Sequence, residues 1–362
     1  MTSPNSALGD LEALLLLSRT PGLRLHGLRA WFDEGLRPLE VAERIASGRN
    51  PAWRESLEAT RRVFDPAREV ESADQARIRL ISFRDSSYPA LLREISDPPL
   101  VLYVRGDLLD LDQAAVALVG SRHPGLYGRE QAARFGRRLA EMGLTIVSGF
   151  ARGIDHAAHE AALEVSHGRT IAVLGSGLDV IYPKEHASLY AEISERGAVV
   201  SEFALGTPPL AENFPKRNRI IAGLSLGVLV IEAHSRSGSL ITAHLAADEG
   251  REVFALPGRV DQLGSRGTHR LLKEGAALVE SPEEVLHILS PGLWSLGGSR
   301  KEEGQFSEEE GRLLALFETG CLTTDQAAAS GGTDVPQTAA LLTRLEIKGA
   351  VKRRLDGRYE KI

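Results

Sequence analysis

The sequence predicts an α/β protein: a mostly parallel sheet, preceded by a small helical domain and followed by a small domain ending in a hairpin. Three observations carry this prediction. Short, wholly apolar runs alternate with helical stretches through the middle of the chain, as strands covered on both faces require. The first sixty residues show helical periodicity, with apolar clusters broken at glycine and proline. Near the end, the pair Asp356-Gly357 separates two short β-rich segments, a strong hairpin signal. A chain of 362 residues has room for two or three compact units. With 43% hydrophobic and 25% charged residues, wholesale disorder is excluded.

Residues 1–70 read as the helical domain, with breaks at Pro21-Gly22, Gly27, Gly35 to Pro38 and Gly48. Pro21-Gly22-Leu23 followed by Gly27-Leu28 suggests a helix-hairpin-helix turn, whose amides can meet a phosphate; a packing or protein-contact module is the other reading. The run Leu14 to Leu17 follows Asp10 and Glu12, the wrong length and charge for a signal peptide or a spanning helix, so a cytoplasmic protein without a membrane partner is expected. After a polar stretch from Pro66 to Arg77, residues 75–290 form the sheet domain. Its candidate strands are Val116 to Val119, Thr145 to Ser148, Thr170 to Leu174, Ala198 to Glu202, Val228 to Glu232 and Glu252 to Leu256. The helix after the first of these places Phe135, Leu139 and Met142 on one buried stripe.

Residues 291–305 have linker composition, and 306–362 read as helix, turn at Gly331-Gly332, helix and hairpin, the pattern of a winged helix. The single cysteine, Cys321, excludes an internal disulfide and a cysteine-based metal cluster, and reads as a buried thiol. No metal and no cofactor are expected. A formal net charge of -6 argues against nucleic acid only if cations are spread evenly, because phosphate binding depends on local Lys and Arg.

Locally they are not even. The strand-to-helix turn after Val119 carries Gly120, Ser121 and Arg122, where amides, a helix dipole and a cationic fork converge on a phosphate site. The next loop, SGFARGID, brackets Arg152 with Gly149 and Gly153; Asp155 there reads as a cap, and His156 and His159 as surface or packing residues. Gly175-Ser176-Gly177 starts like a dinucleotide fingerprint but lacks the third glycine, and Pro183 delays the helix, which disfavours NAD. Lys184 just beyond it is a further candidate phosphate contact.

The densest cluster, FPKRNRIIAGLS, places Phe214, Lys216, Arg217, Asn218 and Arg219 ahead of a helix. An aromatic face among cations can stack an unpaired base while the cations hold the backbone, although Phe214 also reads as a core residue. SRSGSL, with Ser237 and Gly238, and PGRVDQLGSRGT repeat the arrangement. In an open parallel sheet such loops share the carboxyl edge, and five or six in a row fit a ligand with many phosphates: a strand of DNA or RNA.

VALVGSR, SGFARGID, GLDVIYP, FPKRNRIIAGLS, SGSLITA and Pro257-Gly258, in that order from about Leu80 to Leu289, resemble the DprA/Smf family. The resemblance implies a Rossmann-like core that binds single-stranded DNA without chemistry of its own. It also implies homodimers and loading of the recombinase RecA in natural transformation. By the same likeness Arg122 is the phosphate-gripping arginine, and Phe214, Lys216, Arg217 and Arg219 fall in the DNA-contact segment. The rival readings are a phosphoribohydrolase-like enzyme or a nucleotide sensor on a related fold. Against the enzyme, Pro257-Gly258 continues Arg259-Val260-Asp261 instead of a second glycine, and no matching acid is present.

Overall fold

The computed structural model describes residues 4–48, 50–297, 308–317, 320–347, 350–354 and 357–361. They fall into two compact units, Met1–Val285 and Leu286–Ile362.

The first unit begins with five helices: α1 (Pro4–Arg19), α2 (Leu25–Asp33), α3 (Pro38–Ser47), α4 (Pro51–Val63) and α5 (Pro66–Gln75). Proline stands in the first turn of α3, α4 and α5, where its missing N–H costs nothing. Asp65 caps α5 by accepting from the amides of Ala67 and Arg68, at 3.1 and 3.2 Å, so the polar stretch is a helix. Gly27 lies inside α2 and does not break it; a Cβ there would rest 3.7 Å from Trp53, which marks a close helix contact. Leu15, Leu17, Leu28, Val41 and Leu57 share one core with Val101, Tyr103 and Val199 of the sheet.

That sheet has nine strands: β1 (Arg79–Ser82), β2 (Val101–Gly106), β3 (Ala115–Val119), β4 (Thr145–Ser148), β5 (Thr170–Val173), β6 (Ala198–Ser201), β7 (Gly227–Val230), β8 (Glu252–Ala255) and β9 (Ala277–Leu278). Their order is β1-β2-β6-β5-β4-β3-β7-β8-β9. The two additions at one edge, β1 on β2 and β2 on β6, are antiparallel; every other pair is parallel. The helices between strands are α6 (Ala90–Glu94), α7 (Leu126–Glu141), α8 (Ile154–Leu163), α9 (Ala187–Arg196), α10 (Asn213–Gly223), α11 (Gly238–Asp248) and α12 (Arg266–Lys273).

Strand β5 shows why the run Ile171 to Leu174 is apolar throughout. Ile171 and Val173 pack against α10 and α11, while Ala172 joins the core that contains α1 to α5 and α9. Strand order reverses at β3, with β4 on one side and β7 on the other, so the loops after β3, β4 and β5 gather at one carboxyl edge beside a switch point. Of the stripe expected on α7, Phe135 and Leu139 are buried, whereas Met142 is half-buried just past the helix end.

Helix α13 (Pro282–Gly297) crosses the boundary between the units, so the segment 291–297 is helical where linker composition led to a different expectation. Glu283 and Glu284 in its first turn favour the helix through the dipole. Residues 298–305 lie outside the described residues. The second unit continues with α14 (Glu308–Leu316), α15 (Thr324–Gly331), α16 (Val335–Ile347) and the antiparallel pair β10 (Val351–Arg353) and β11 (Tyr359–Lys361), the element order of a winged helix. Thr323 and Gln326 form a capping box on α15, and Gly332 ends it in the left-handed region at φ +64°. Leu342, Leu345, Val351 and Tyr359 form its core. Of the expected hairpin turn, Asp356 lies outside the described residues and Gly357 has φ +82°. Cys321 is half-buried, not buried, with its Sγ 3.7 Å from Glu360.

Candidate functional site

The loops at the carboxyl edge are built by close backbone packing, which explains their glycines. Gly120 ends β3 where a Cβ would lie 2.6 Å from Ile154, and Gly153 has φ +80° with a Cβ position that overlaps the Ser121 carbonyl. Gly149 faces a guanidinium, with a Cβ position 2.6 Å from Arg217 Nη1. These three glycines and buried Ser121, whose Oγ accepts from the His123 amide at 3.1 Å, shape the loops; they were expected among the ligand contacts.

Between the loops lies a narrow pocket. Arg122 closes one side, Gly149 to Arg152 the next, Leu174 to Ser176 with Tyr182 and Pro183 the third, and Phe214 the last. Arg122 is exposed, and its guanidinium carbon sits 5.0 Å from the centroid of the Phe214 ring. It makes no ion pair among the described residues. Phe214 is half-buried in the first turn of α10 and lies 6.0 Å from the ring of Tyr182, so it is a wall of the pocket rather than a core residue. Gly175 lets it in: a Cβ there would stand 3.0 Å from the ring.

Other predicted residues sit around this centre. Arg152 is exposed at the rim, paired with Glu185 at 2.6 Å and 5.9 Å from the Tyr182 ring. Lys184 is exposed at the start of a short 3-10 turn and makes no ion pair among the described residues. Lys216 is exposed and pairs with Glu212 at 3.3 Å. Ser237 caps α11 through the Ser239 amide at 3.3 Å, and Gly238 is exposed at that helix start.

Three members of the basic segment turn to acceptors within the protein. Helix α10 starts at Asn213, so Lys216 to Arg219 lie within it and point in different directions around its axis. Arg217 is 4% exposed and donates through Nη1 to the carbonyls of Gly149 and Val173, tying the ends of β4 and β5 together. Arg219 turns to the opposite side. It binds both carboxylate oxygens of Glu202, at 2.5 and 2.7 Å, and the Asp97 carbonyl at 2.8 Å. Asn218 is buried, with Nδ2 donating to the Gly238 carbonyl at 3.4 Å. Each cation of the densest cluster thus has its own acceptors.

Beneath the pocket, Asp155 accepts from the Ala151 amide at 3.2 Å and so holds the loop after β4. Burial raises its carboxyl above the usual range, against the pull of Arg217. The same burial lowers the Arg217 guanidinium to about 10, with Asp155 opposing. Phe150 has φ +58°, unusual for a residue with a side chain, and its buried ring packs edge-on against His186 at 5.3 Å and Tyr190 at 6.1 Å. His159 is fully buried with Nδ1 2.6 Å from Thr170 Oγ1; burial lowers it to about 3. His156 stacks on His186 at 4.3 Å. These histidines therefore pack the loop from below, and no cluster of metal-binding side chains exists among the described residues.

Sequence reasoning missed two residues. Tyr182 supplies an exposed aromatic to the pocket; its place in GLDVIYP, right before a proline that ends the loop, was the available signal. Glu232 follows β7, and its carboxylate oxygens accept the Gly125 amide at 3.1 and 3.2 Å. An acid closing an apolar strand run was visible, but its partner a hundred residues earlier was not.

Known proteins are similar to this chain in sequence and fold. The family model described as DNA recombination-mediator protein A matches residues 79–290. Protein Smf of Escherichia coli (strain K12) is 44% identical over 303 residues, 81% of each chain. DNA processing protein DprA of Streptococcus pneumoniae is 49% identical over 205 residues, 57% of this chain and 72% of that one. The X-ray structure of the Streptococcus pneumoniae protein superposes with a TM-score of 0.66 at 41% identity, covering 79% of this chain and 98% of that one. The Helicobacter pylori protein, described with its single-stranded DNA binding mode, gives 0.54 at 32% identity, covering 60% and 97%.

Proposed function

The chain belongs to the DNA recombination-mediator protein A family, and from that premise we propose that its carboxyl edge binds single-stranded DNA at the Arg122–Phe214 pocket. One observation carries the reading. An exposed guanidinium with no ion pair among the described residues stands 5.0 Å over a half-buried phenyl ring at the mouth of a narrow pocket. Such a pair offers a cation to a phosphate and an aromatic wall to a base, and a base is free to stack there only when it is unpaired. Arg152, Lys184 and Lys216 line the path at the rim, with Ser237 and Gly238 at the start of α11. The binding mode described for the Helicobacter pylori relative supports the same class of ligand.

The protein acts in this account as a carrier, with no catalytic step, cofactor or metal of its own. It shields the strand and loads RecA onto it during natural transformation, working in the cytoplasm as a homodimer; these finer statements rest on the family resemblance. Residues 75–290 form the DNA-binding domain, with residues 1–70 as an accessory domain before it and residues 306–362 as another after the segment 291–305. No helix among the described residues is long and apolar enough to cross a membrane.

The test is binding to labelled oligo-dT and to a matched duplex, with a mononucleotide as competitor. Length-dependent preference for the single strand is expected. Displacement by the mononucleotide at low concentration, or no DNA binding, would move the reading to a nucleotide-handling protein.

A further inference from the structure

The turn that presents Arg122 is held at both ends by a single residue. The Glu232 carbonyl accepts the Ser121 amide at 2.8 Å, and the Glu232 carboxylate accepts the Gly125 amide at 3.1 and 3.2 Å. Residues 121–125 thus close into a loop across the end of β7, with Arg122 in the middle. The carboxylate also lies against the first turn of α7, where free amides and the helix dipole favour a negative charge. In open parallel sheets that bind nucleotides, this seat after the first strand takes the ligand's phosphate.

Glycines make room for the carboxylate. A Cβ on Gly128 would overlap Glu232 Oε2, one on Gly264 would stand 2.8 Å from Oε1, and one on Gly125 would lie 3.6 Å from Oε2. Gly264 belongs to a third loop, and its carbonyl accepts the Ala233 amide at 2.8 Å. Three loops therefore converge on one side chain at the switch point.

We propose that Glu232 is an internal anion that fills the phosphate seat of the fold, so that the site is closed to mononucleotides and Arg122 is fixed to serve a ligand outside the helix axis. Glu232 is in this sense a positioning and specificity-determining residue. The part of the proposal that concerns Arg122 rests on the DNA-binding reading above; the part that concerns the closed seat does not.

The test uses the full chain and inorganic phosphate, with ionic strength held constant by chloride. In Glu232→Ala the seat opens, and phosphate should raise the melting temperature saturably. Wild type and Glu232→Gln, whose amide oxygen still accepts the Gly125 N–H, should show no such rise. Equal behaviour of wild type and Glu232→Ala, with or without a rise, would overturn the proposal. Should Glu232→Ala fail to fold, Gly128→Ala replaces it, since a helical position accepts alanine and the added methyl displaces the carboxylate. Hydrogen exchange in residues 121–128 should then quicken, and oligo-dT affinity should fall about fivefold, the worth of one hydrogen bond. Unchanged exchange would overturn the proposal, whereas quickened exchange in Gly128→Ala beside a wild type that binds no DNA would retain the seat and discard the DNA reading.

Discussion

Replacing Arg217 by alanine removes a buried guanidinium that two backbone carbonyls and one carboxylate depend on. Its hydrogen bonds reach Gly149 and Val173, at the ends of adjacent strands. A bond from a charged donor contributes about 1.5–3 kcal/mol. The change also strips buried Asp155 of the cation that opposes its desolvation. These losses overlap, so from two such bonds we expect a destabilisation of about 3–5 kcal/mol, a large share of a total stability of about 5–15 kcal/mol. With a urea dependence of about 3 kcal/mol per molar, the midpoint of the α/β unit falls by about 1 M or more. Urea unfolding followed by tryptophan fluorescence, to which Trp31 and Trp53 of this unit contribute, reads the shift. Arg217→Lys, which keeps the charge but has a shorter reach and no planar fork, should lie between. An unchanged midpoint, together with weaker DNA binding and a smaller salt slope, would refute the structural role and place Arg217 on the DNA surface.

Three further outcomes follow from the same geometry. Phe214→Ala should weaken oligo-dT binding by about 1–3 kcal/mol with the salt slope retained, measured by fluorescence anisotropy; unaltered affinity would mean that no base stacks there. Because the folded His159 resists protonation down to about 3 while the unfolded chain accepts a proton near 6.5, stability is present in full above about pH 6.5 and declines as pH falls toward 3. The loss from this group is limited to about 1.4 kcal/mol per pH unit, and His159→Gln should flatten the dependence of the urea midpoint on pH between 6.5 and 4.5. Finally, Asp112 is 8% exposed and accepts from Thr145, Leu109 and Arg169 at 2.8 to 2.9 Å. Asp112→Asn should cost about 3 kcal/mol of stability and leave DNA affinity untouched, since it lies at the amino edge of β4, away from the pocket.

The six parallel strands were legible because burial on both faces keeps most positions apolar, a signal that survives without knowledge of neighbours. Strand β1, with its exposed Arg79, and β2, which follows Pro98-Pro99, lack that clean framing, and β9 is two residues long. For the site, residue type was legible and direction was not. Lys216, Arg217 and Arg219 look alike in a row of letters, but successive helical positions turn by about 100°. One therefore faces solvent, one enters the sheet edge and one meets Glu202 and Asp97. Those acceptors come from distant segments, so the helix alone gave no sign of them. Arg122 was readable because a glycine turn after a central strand leaves few places for its side chain other than the carboxyl edge.

The most direct test of the account is the salt dependence of oligo-dT binding by wild type and Arg122→Ala. If Arg122 holds a phosphate, the substitution weakens binding and reduces the slope of log affinity against log salt by about one unit. An Arg122→Ala protein with wild-type affinity and an unchanged slope would contradict the assignment of the strand to this pocket.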